Sequence, residues 1–446
     1  MKQKSIYQQF WRYAIPTIAA MLVNGLYQVV DGIFIGQYMG GEGLAGINVA
    51  WPVISVILGL GMMVGVGTGA LASIKQGEND LAGAKQALAT GMMALLALSP
   101  IVAIALWQFA DEMILLQGAQ GRMYELAMQY LDILIVGGVF ALGSIAVPFL
   151  LRNDDSPNMA TLLMVLGAVI NIALDYWFIA LLGWELTGAA LATAIAQSVV
   201  TVLGIGYFFT SRAKMRLMLK DFKFQFHLLP KIFSIGLASF FMYAYGSFMV
   251  AIHNALFAEY GSVTLVGAYA ILGYIVAFYY LIAEGIANAM QPLLSYNYGA
   301  RREDNMRKLF NVAMLSSVLG GAAFIGLLNL FPYQAVSVFN SSEPLLIEHT
   351  VTGIRLHLFS MFLDGFIVVA AAYYQAISYS RKALFVTLGN MLIQLPFLYV
   401  MPKLWGVTGV WIAYPLSNVA LSVVVGVMIW RDIRKLQTSG YAEATA

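Results

Sequence analysis

The 446-residue sequence is 61% hydrophobic and 10% charged, with a mean hydropathy of +0.79. So few charges cannot cover a water-soluble globule of this size, which leaves a lipid bilayer as the solvent. A net charge of +2 gives no electrostatic footprint for nucleic acid, and with no cysteine there is no disulfide, thiolate nucleophile or Cys-based metal site.

Taken in chain order, apolar runs long enough to cross a bilayer fall at about 12–36, 44–74, 87–109, 125–150, 158–183, 187–210, 230–258, 262–295, 309–331, 346–376, 381–403 and 407–430. The polar stretch Met1 to Trp11 precedes the first run, and no small-residue cleavage site follows it. That run is therefore read as a retained helix. The predicted fold is an all-α polytopic membrane protein of twelve transmembrane helices. Lys and Arg orient it. With both termini cytoplasmic, 21 of the 24 basic residues fall on the cytoplasmic side, Lys2, Lys4 and Arg152 among them, and only Arg122, Arg355 and Lys403 fall outside. A missed or invented span would reverse every later loop and destroy that bias.

The longest hydrophilic connection, Ser211 to His227, separates spans six and seven and holds the densest basic cluster. It divides the chain into an N-terminal lobe (1–211), a basic linker (212–229) and a C-terminal lobe (230–446). The halves repeat. Trp184, Thr187-Gly188-Ala189 and Ala192 recur 221 residues later as Trp405, Thr408-Gly409-Val410 and Ala413, and Gly77 recurs as Gly299 one residue further on. Six spans per repeat make corresponding helices run the same way, a parallel repeat of the kind transporters use.

Acidic residues within spans are costly and usually face a cavity or a partner. Asp31 is near the outer end of span one. Asn171 and Asp175 share a face of span five at i and i+4, and Thr193 follows on span six at similar depth. Carboxylate, amide and hydroxyl oxygens at one level suit a hard cation such as Na⁺. Two nearby carboxylates in low dielectric also cannot both stay ionised without a cation, so the same cluster suits H⁺. A purely structural polar network is the bland alternative. The repeat argues against it, since Asn171 maps to Leu392 and Asp175 to Pro396, and Asp31 has no acidic counterpart near Ile252.

Asp364 on span ten and Glu284 on span eight are candidate cavity acids, with inter-helix hydrogen bonding as the competing role. Asp132 lies near an outer end and is expected to reach water. Pro16 shares span one with Asp31, so a bend there is able to respond to protonation. The histidines His227, His253, His349 and His357 show no metal-ligand spacing, and no Gly-Lys-Ser/Thr phosphate loop is present, so no cofactor and no ATP-driven step is expected.

The sequence resembles the multidrug and toxic compound extrusion (MATE) family across nearly its whole length. The resemblance rests on Pro16 followed by Asp31-Gly-Ile-Phe-Ile-Gly36, Gly65-Val-Gly-Thr-Gly69 leading to Gly77, Asn171-Ile-Ala-Leu-Asp175, Gly188-Ala-Ala-Leu-Ala192-Thr193, and Pro292 leading to Asn297-Tyr-Gly-Ala-Arg301. It implies two pseudo-symmetric six-helix lobes around a central V-shaped cavity, and efflux driven by inward H⁺ or Na⁺. It also implies a first-lobe cation site at Asp31, Asn171, Asp175 and Thr193, which those positions match one by one. Some members add acids on helices seven and ten; span seven here has none, so Asp364 would stand alone.

These readings together predict a non-enzymatic secondary transporter of the inner membrane, working as a monomer in the lipid bilayer on drug-like, lipophilic, cationic small molecules. The alternative is a lipid-linked saccharide flippase, whose pyrophosphate cargo should call for Arg or Lys in the cavity.

Overall fold

The computed structural model describes residues 5–117, 119–339 and 341–444, without the side chains of 41, 247, 263 and 436–444. Lys2 and Lys4 of the orientation count lie outside the described residues. Among those described, the chain is helical and has no strand. That is the outcome expected in lipid, where each backbone polar group must be satisfied within its own segment.

The helices are α1 (Ile6–Gly77), α2 (Leu81–Leu116), α3 (Gly121–Val136), α4 (Gly138–Asn153), α5 (Pro157–Asp175), α6 (Glu185–Tyr207), α7 (Leu229–Tyr260), α8 (Val263–Gly299), α9 (Glu303–Leu330), α10 (Pro332–Ser337), α11 (Pro344–His357), α12 (Met361–Ala376) and α13 (Ser380–Ala444). α1 is two membrane-length limbs, Ile6–Gly40 and Glu42–Gly77, broken where Gly40 takes φ 65°. α13 breaks in the same way at Gly406, φ 56°. Two spans are bent pairs: α3 meets α4 at 67°, and α11 meets α12 at 53°. With each bent pair as one span and α13 divided at Gly406, the described residues give twelve spans.

Local chemistry sets the ends. Ser5 caps α1 through a reciprocal pair with Gln8, at 3.2 Å from the Gln8 amide and 3.1 Å back from its own. Asp80 caps α2 by accepting from the Gly83 amide at 2.8 Å. Pro157 and Pro344 open their helices, where the missing N–H costs nothing.

The repeat read from the sequence is written into the backbone. Asn79 and Arg301, Asp155 and Ser378, and Gly183 and Gly406 all take left-handed φ, each pair separated by nearly the repeat spacing. The bent pairs α3/α4 and α11/α12 also occupy corresponding places. Between the halves, the second limb of α1 packs on α7 and α8. Glycines make this possible: a Cβ on Gly67 would overlap the Ile232 carbonyl oxygen, and one on Gly236 would overlap that of Met63.

The end of the bundle where the chain starts is also tied by polar groups. Asn153 and Gln291 exchange amide hydrogen bonds at 3.0 and 3.2 Å, and Ser73 donates to Asn153 Oδ1 at 2.6 Å. In the α4–α5 turn, Asp154 is buried and accepts from the backbone amides of Met215 (2.7 Å) and Lys214 (3.0 Å), docking the start of the linker. Burial pushes its carboxyl up to about 6 despite those bonds. Burial alone would raise the neighbouring Asp155 too. The Tyr13 hydroxyl, Lys214 and Arg12 outweigh it and hold that carboxyl below the usual range.

Candidate functional site

Asp31 stands on the first limb of α1, Asn171 and Asp175 one turn apart on α5, and Thr193 on α6. α5 packs against both α1 and α6, so the four residues converge. Directly after Asp175 the α-helical pattern widens into a π-helical turn, Tyr176–Leu181, a local irregularity that concentrates at functional positions.

The Asp31 and Asp175 carboxyl groups lie within hydrogen-bonding reach of each other. Among the described residues neither Asp31 Oδ1 nor either Asp175 oxygen has a donor, although Asp175 is fully buried. Two carboxylates in contact repel, so a proton or a metal cation between them is what makes the arrangement favourable. Asn171 donates from Nδ2 to Thr193 Oγ1 at 3.3 Å. This leaves the buried Asn171 Oδ1 unpartnered beside the two acids. The orphaned oxygens form the donor set a small hard cation takes.

Asp31, Asn171 and Thr193 line a cavity of about 290 Å³, and Asp175, fully buried, is not among its lining residues. Tyr27 and Tyr130 share its wall. Glu284 of α8 reaches the same cavity from the other half of the chain, and it also lines an adjoining void of about 30 Å³. Asp364 is elsewhere. It is buried in a polar cluster of the second half, accepting from Tyr414 Oη at 2.6 Å and from Asn418 Nδ2, while Tyr280 and Tyr414 pair at 3.1 Å. It lines neither of these voids. The backbone passes Pro16 with helical torsions, the non-helical residue inside α1 being Gly40. The Pro16 carbonyl accepts from Thr161 Oγ1 of α5 at 2.8 Å. Asp132 and Arg355 are exposed. His253 and His357 are buried against Tyr269, and no group of three or more His, Asp or Glu residues able to hold a metal ion forms among the described residues.

Arg152 departs from the sequence reading, which counts it with the loop bases. α4 continues to Asn153, so Arg152 occupies its last turn, is fully buried and lines the same cavity as Asp31. The signal for it is its place beside a helix end whose apolar run, Ala146 to Leu151, has no break before it.

The family model MatE matches the chain twice, over residues 16–177 and 238–400. The chain belongs to the MatE family. Its two matches fall one in each half, at the spacing of the repeat. The MatE chain is 25% identical over 446 residues to the multidrug export protein MepA of Staphylococcus aureus, covering 99% of this chain and 98% of that one. Among solved structures it resembles a multidrug resistance MATE family transporter of the MOP superfamily in its outward-facing conformation, with a TM-score of 0.92, 26% identity and 97% coverage of both chains. It also resembles the MATE multidrug transporter DinF-BH, with a TM-score of 0.88, 29% identity and 95% coverage of both. This MatE protein is thus a multi-pass membrane protein with the twelve-span, two-lobed architecture around a central cavity.

Proposed function

We propose that this protein is a secondary antiporter that exports lipophilic, chiefly cationic, drug-like compounds in exchange for inward H⁺ or Na⁺. The observation that carries the reading is the contact between Asp31 and Asp175 beside the cavity, with Asn171 and Thr193 completing an oxygen set. The names of the relatives, multidrug export and multidrug resistance transporters, support export of varied compounds. The lobes are residues 1–211 and 230–446, joined by the basic linker 212–229. The distribution of Lys and Arg supports cytoplasmic termini in the inner membrane. The protein works as a monomer.

Asp31 and Asp175 attract either the coupling cation or a cationic substrate in the adjoining cavity, and occupancy by one weakens the other. That mutual weakening is the linkage an exchanger needs. The deciding experiment is dye efflux from proteoliposomes with pH and Na⁺ gradients imposed separately, for wild type and Asp31→Asn. Efflux driven by one gradient and lost in Asp31→Asn upholds the reading and names the ion. Gradient-driven efflux that survives the substitution removes the coupling role of the cluster.

The flippase alternative gains one observation, the buried Arg152 on the cavity wall. A single base facing Asp31 and Glu284 leaves the cavity acidic on balance, which disfavours a pyrophosphate cargo.

A further inference from the structure

The hydrophilic connection between the two halves, Ser211 to His227, is folded onto the bundle. In its first part Ala213, Met215 and Leu217 are buried, while Arg212, Lys214 and Arg216 between them are exposed. Backbone bonds hold that register: the Met215 and Lys214 amides donate to Asp154, and the Leu217 amide donates to the Phe208 carbonyl at 2.8 Å. Lys220 and Lys223 are exposed further along. Among the described residues, Lys214 alone of these five bases makes an ion pair, with Asp155 at 2.9 Å. The one acid of the segment, Asp221, is engaged locally, accepting from the Met218 amide at 2.7 Å to close the turn Leu219–Asp221.

Large apolar side chains stand out among those bases. Leu219 is 87% exposed and Phe226 76%. Ring contacts back them: Phe222 stacks on Phe209 with centroids 5.8 Å apart, and Phe224 meets Phe226 edge-on at 4.6 Å. Helix α2 sets their depth. The Gln225 amide donates to Thr90 Oγ1 at 3.4 Å, which lays the linker along the flank of α2, about 14 Å from the start of that helix. The 36 residues of α2 make about 54 Å of helix against a hydrocarbon core of about 30 Å. Its first turns therefore stand at headgroup depth. Orienting a chain in the membrane takes charge alone and does not call for an exposed Leu and Phe beside the bases. A soluble anion would engage the bases and leave Leu219 and Phe226 in water. An anionic leaflet engages both.

We propose that the linker is an anionic-phospholipid site, in which Arg212, Arg216, Lys220 and Lys223 hold headgroup phosphates while Leu219 and Phe226 enter the acyl boundary. Arg offers a phosphate a forked pair of donors, and Lys a compact point charge. Because the segment connects the two lobes, bound lipid ties their junction to the membrane surface. Naming that leaflet cytoplasmic rests on the proposed orientation; the binding itself does not.

The test uses the purified full-length protein and two readouts. In the first, native mass spectrometry counts bound lipid after titration with phosphatidylglycerol or with phosphatidylcholine of the same chains. Wild type is expected to prefer phosphatidylglycerol about tenfold. Combining Arg212→Gln, Arg216→Gln, Lys220→Gln and Lys223→Gln is expected to abolish that preference. Combining Arg302→Gln and Arg381→Gln, two exposed bases of other loops, is expected to keep it. No preference in wild type, a preference that survives the fourfold change, or an equal loss in the control pair overturns the proposal. In the second readout, Leu219→Cys and Phe226→Cys each carry a bimane label in nanodiscs containing phosphatidylglycerol, at a unique site because the chain has no cysteine. These variants keep every base, so they decide the matter if the fourfold variant fails to insert or fold. Both labels are expected to be quenched by lipid carrying a nitroxide near its headgroup and shielded from aqueous iodide. Quenching by iodide alone overturns the proposal. Neither readout involves transport, so absence of gradient-driven efflux would sink the export reading and leave the lipid site standing.

Discussion

Gly77 and Gly299 are reciprocal partners in one helix crossing. A Cβ on Gly77 would overlap the Tyr296 carbonyl oxygen, and a Cβ on Gly299 would overlap that of Ile74. The crossing is between corresponding helices of the two halves, so each glycine meets the backbone one turn before the other. Only glycine lets two backbones approach that closely. Gly77→Ala and Gly299→Ala are each expected to destabilise the protein by about 1–3 kcal/mol. Because they share one contact, the double variant should lose less than the sum. Thermal unfolding of the purified variants checks this, and wild-type melting of either single variant contradicts it.

Thr193→Val removes the hydroxyl that accepts from Asn171 at 3.3 Å while keeping the shape of the side chain. The expected result is a several-fold weaker dependence of transport on the coupling ion, in line with about 1 kcal/mol for a lost hydrogen bond. Asp175→Asn is expected to abolish gradient-driven transport altogether. Titrating the ion in proteoliposomes separates the two: a shifted midpoint for Thr193→Val, no gradient response for Asp175→Asn.

Asp364 accepts from both Tyr414 and Asn418 deep in the second half. Asp364→Ala orphans two buried donors and is expected to cost about 2–3 kcal/mol in stability. Asp364→Asn keeps an acceptor and is expected to cost less. A thermal melt that ranks them the other way would show that charge, not hydrogen bonding, is what the cluster needs.

The Asp155 carboxylate is held by Tyr13 Oη at 2.7 Å, Lys214 Nζ at 2.9 Å and Arg12 Nη1 at 3.4 Å. Its folded-state pKa lies below the ordinary carboxylate value. The stability it contributes is therefore present above that ordinary value and lost as pH falls through the folded one. The side chain is 33% exposed, so screening holds the contribution to about 1 kcal/mol. Asp155→Asn should melt below wild type at neutral pH, and the gap should close in acid. Asn also tolerates the left-handed φ of 62° at this position, so the comparison is not confounded by strain. A gap that widens in acid reverses the assigned sign.

Much of this was legible in the sequence because acids and amides stand out in an apolar chain. Asp31, Asn171, Asp175 and Thr193 fall at one depth on three spans, and depth alone brings them together. Asp364 was legible as a buried acid, but its partners Tyr280, Tyr414 and Asn418 come from two other helices, and no local spacing links them. Arg152 was misread because a base two residues before an Asp-Asp turn looks like a loop residue. Only the extension of α4 to Asn153 shows that the side chain turns back into the protein. The bends between α3 and α4 and between α11 and α12 were also invisible, since each interrupts a run that hydropathy reads as continuous.

The Asn153–Gln291 amide pair has a thermodynamic consequence for the interface it crosses. Amide-to-amide hydrogen bonds trade for amide-to-water bonds at a net cost of about 1 kcal/mol each, so wetting that end of the bundle forfeits only a small part of their gross strength. What resists separation there is the dispersion energy of the glycine-lined backbones, which falls away within an ångström of gap. The interface therefore behaves as a short-range latch: stiff against small displacements, with a resistance that falls steeply as the gap opens.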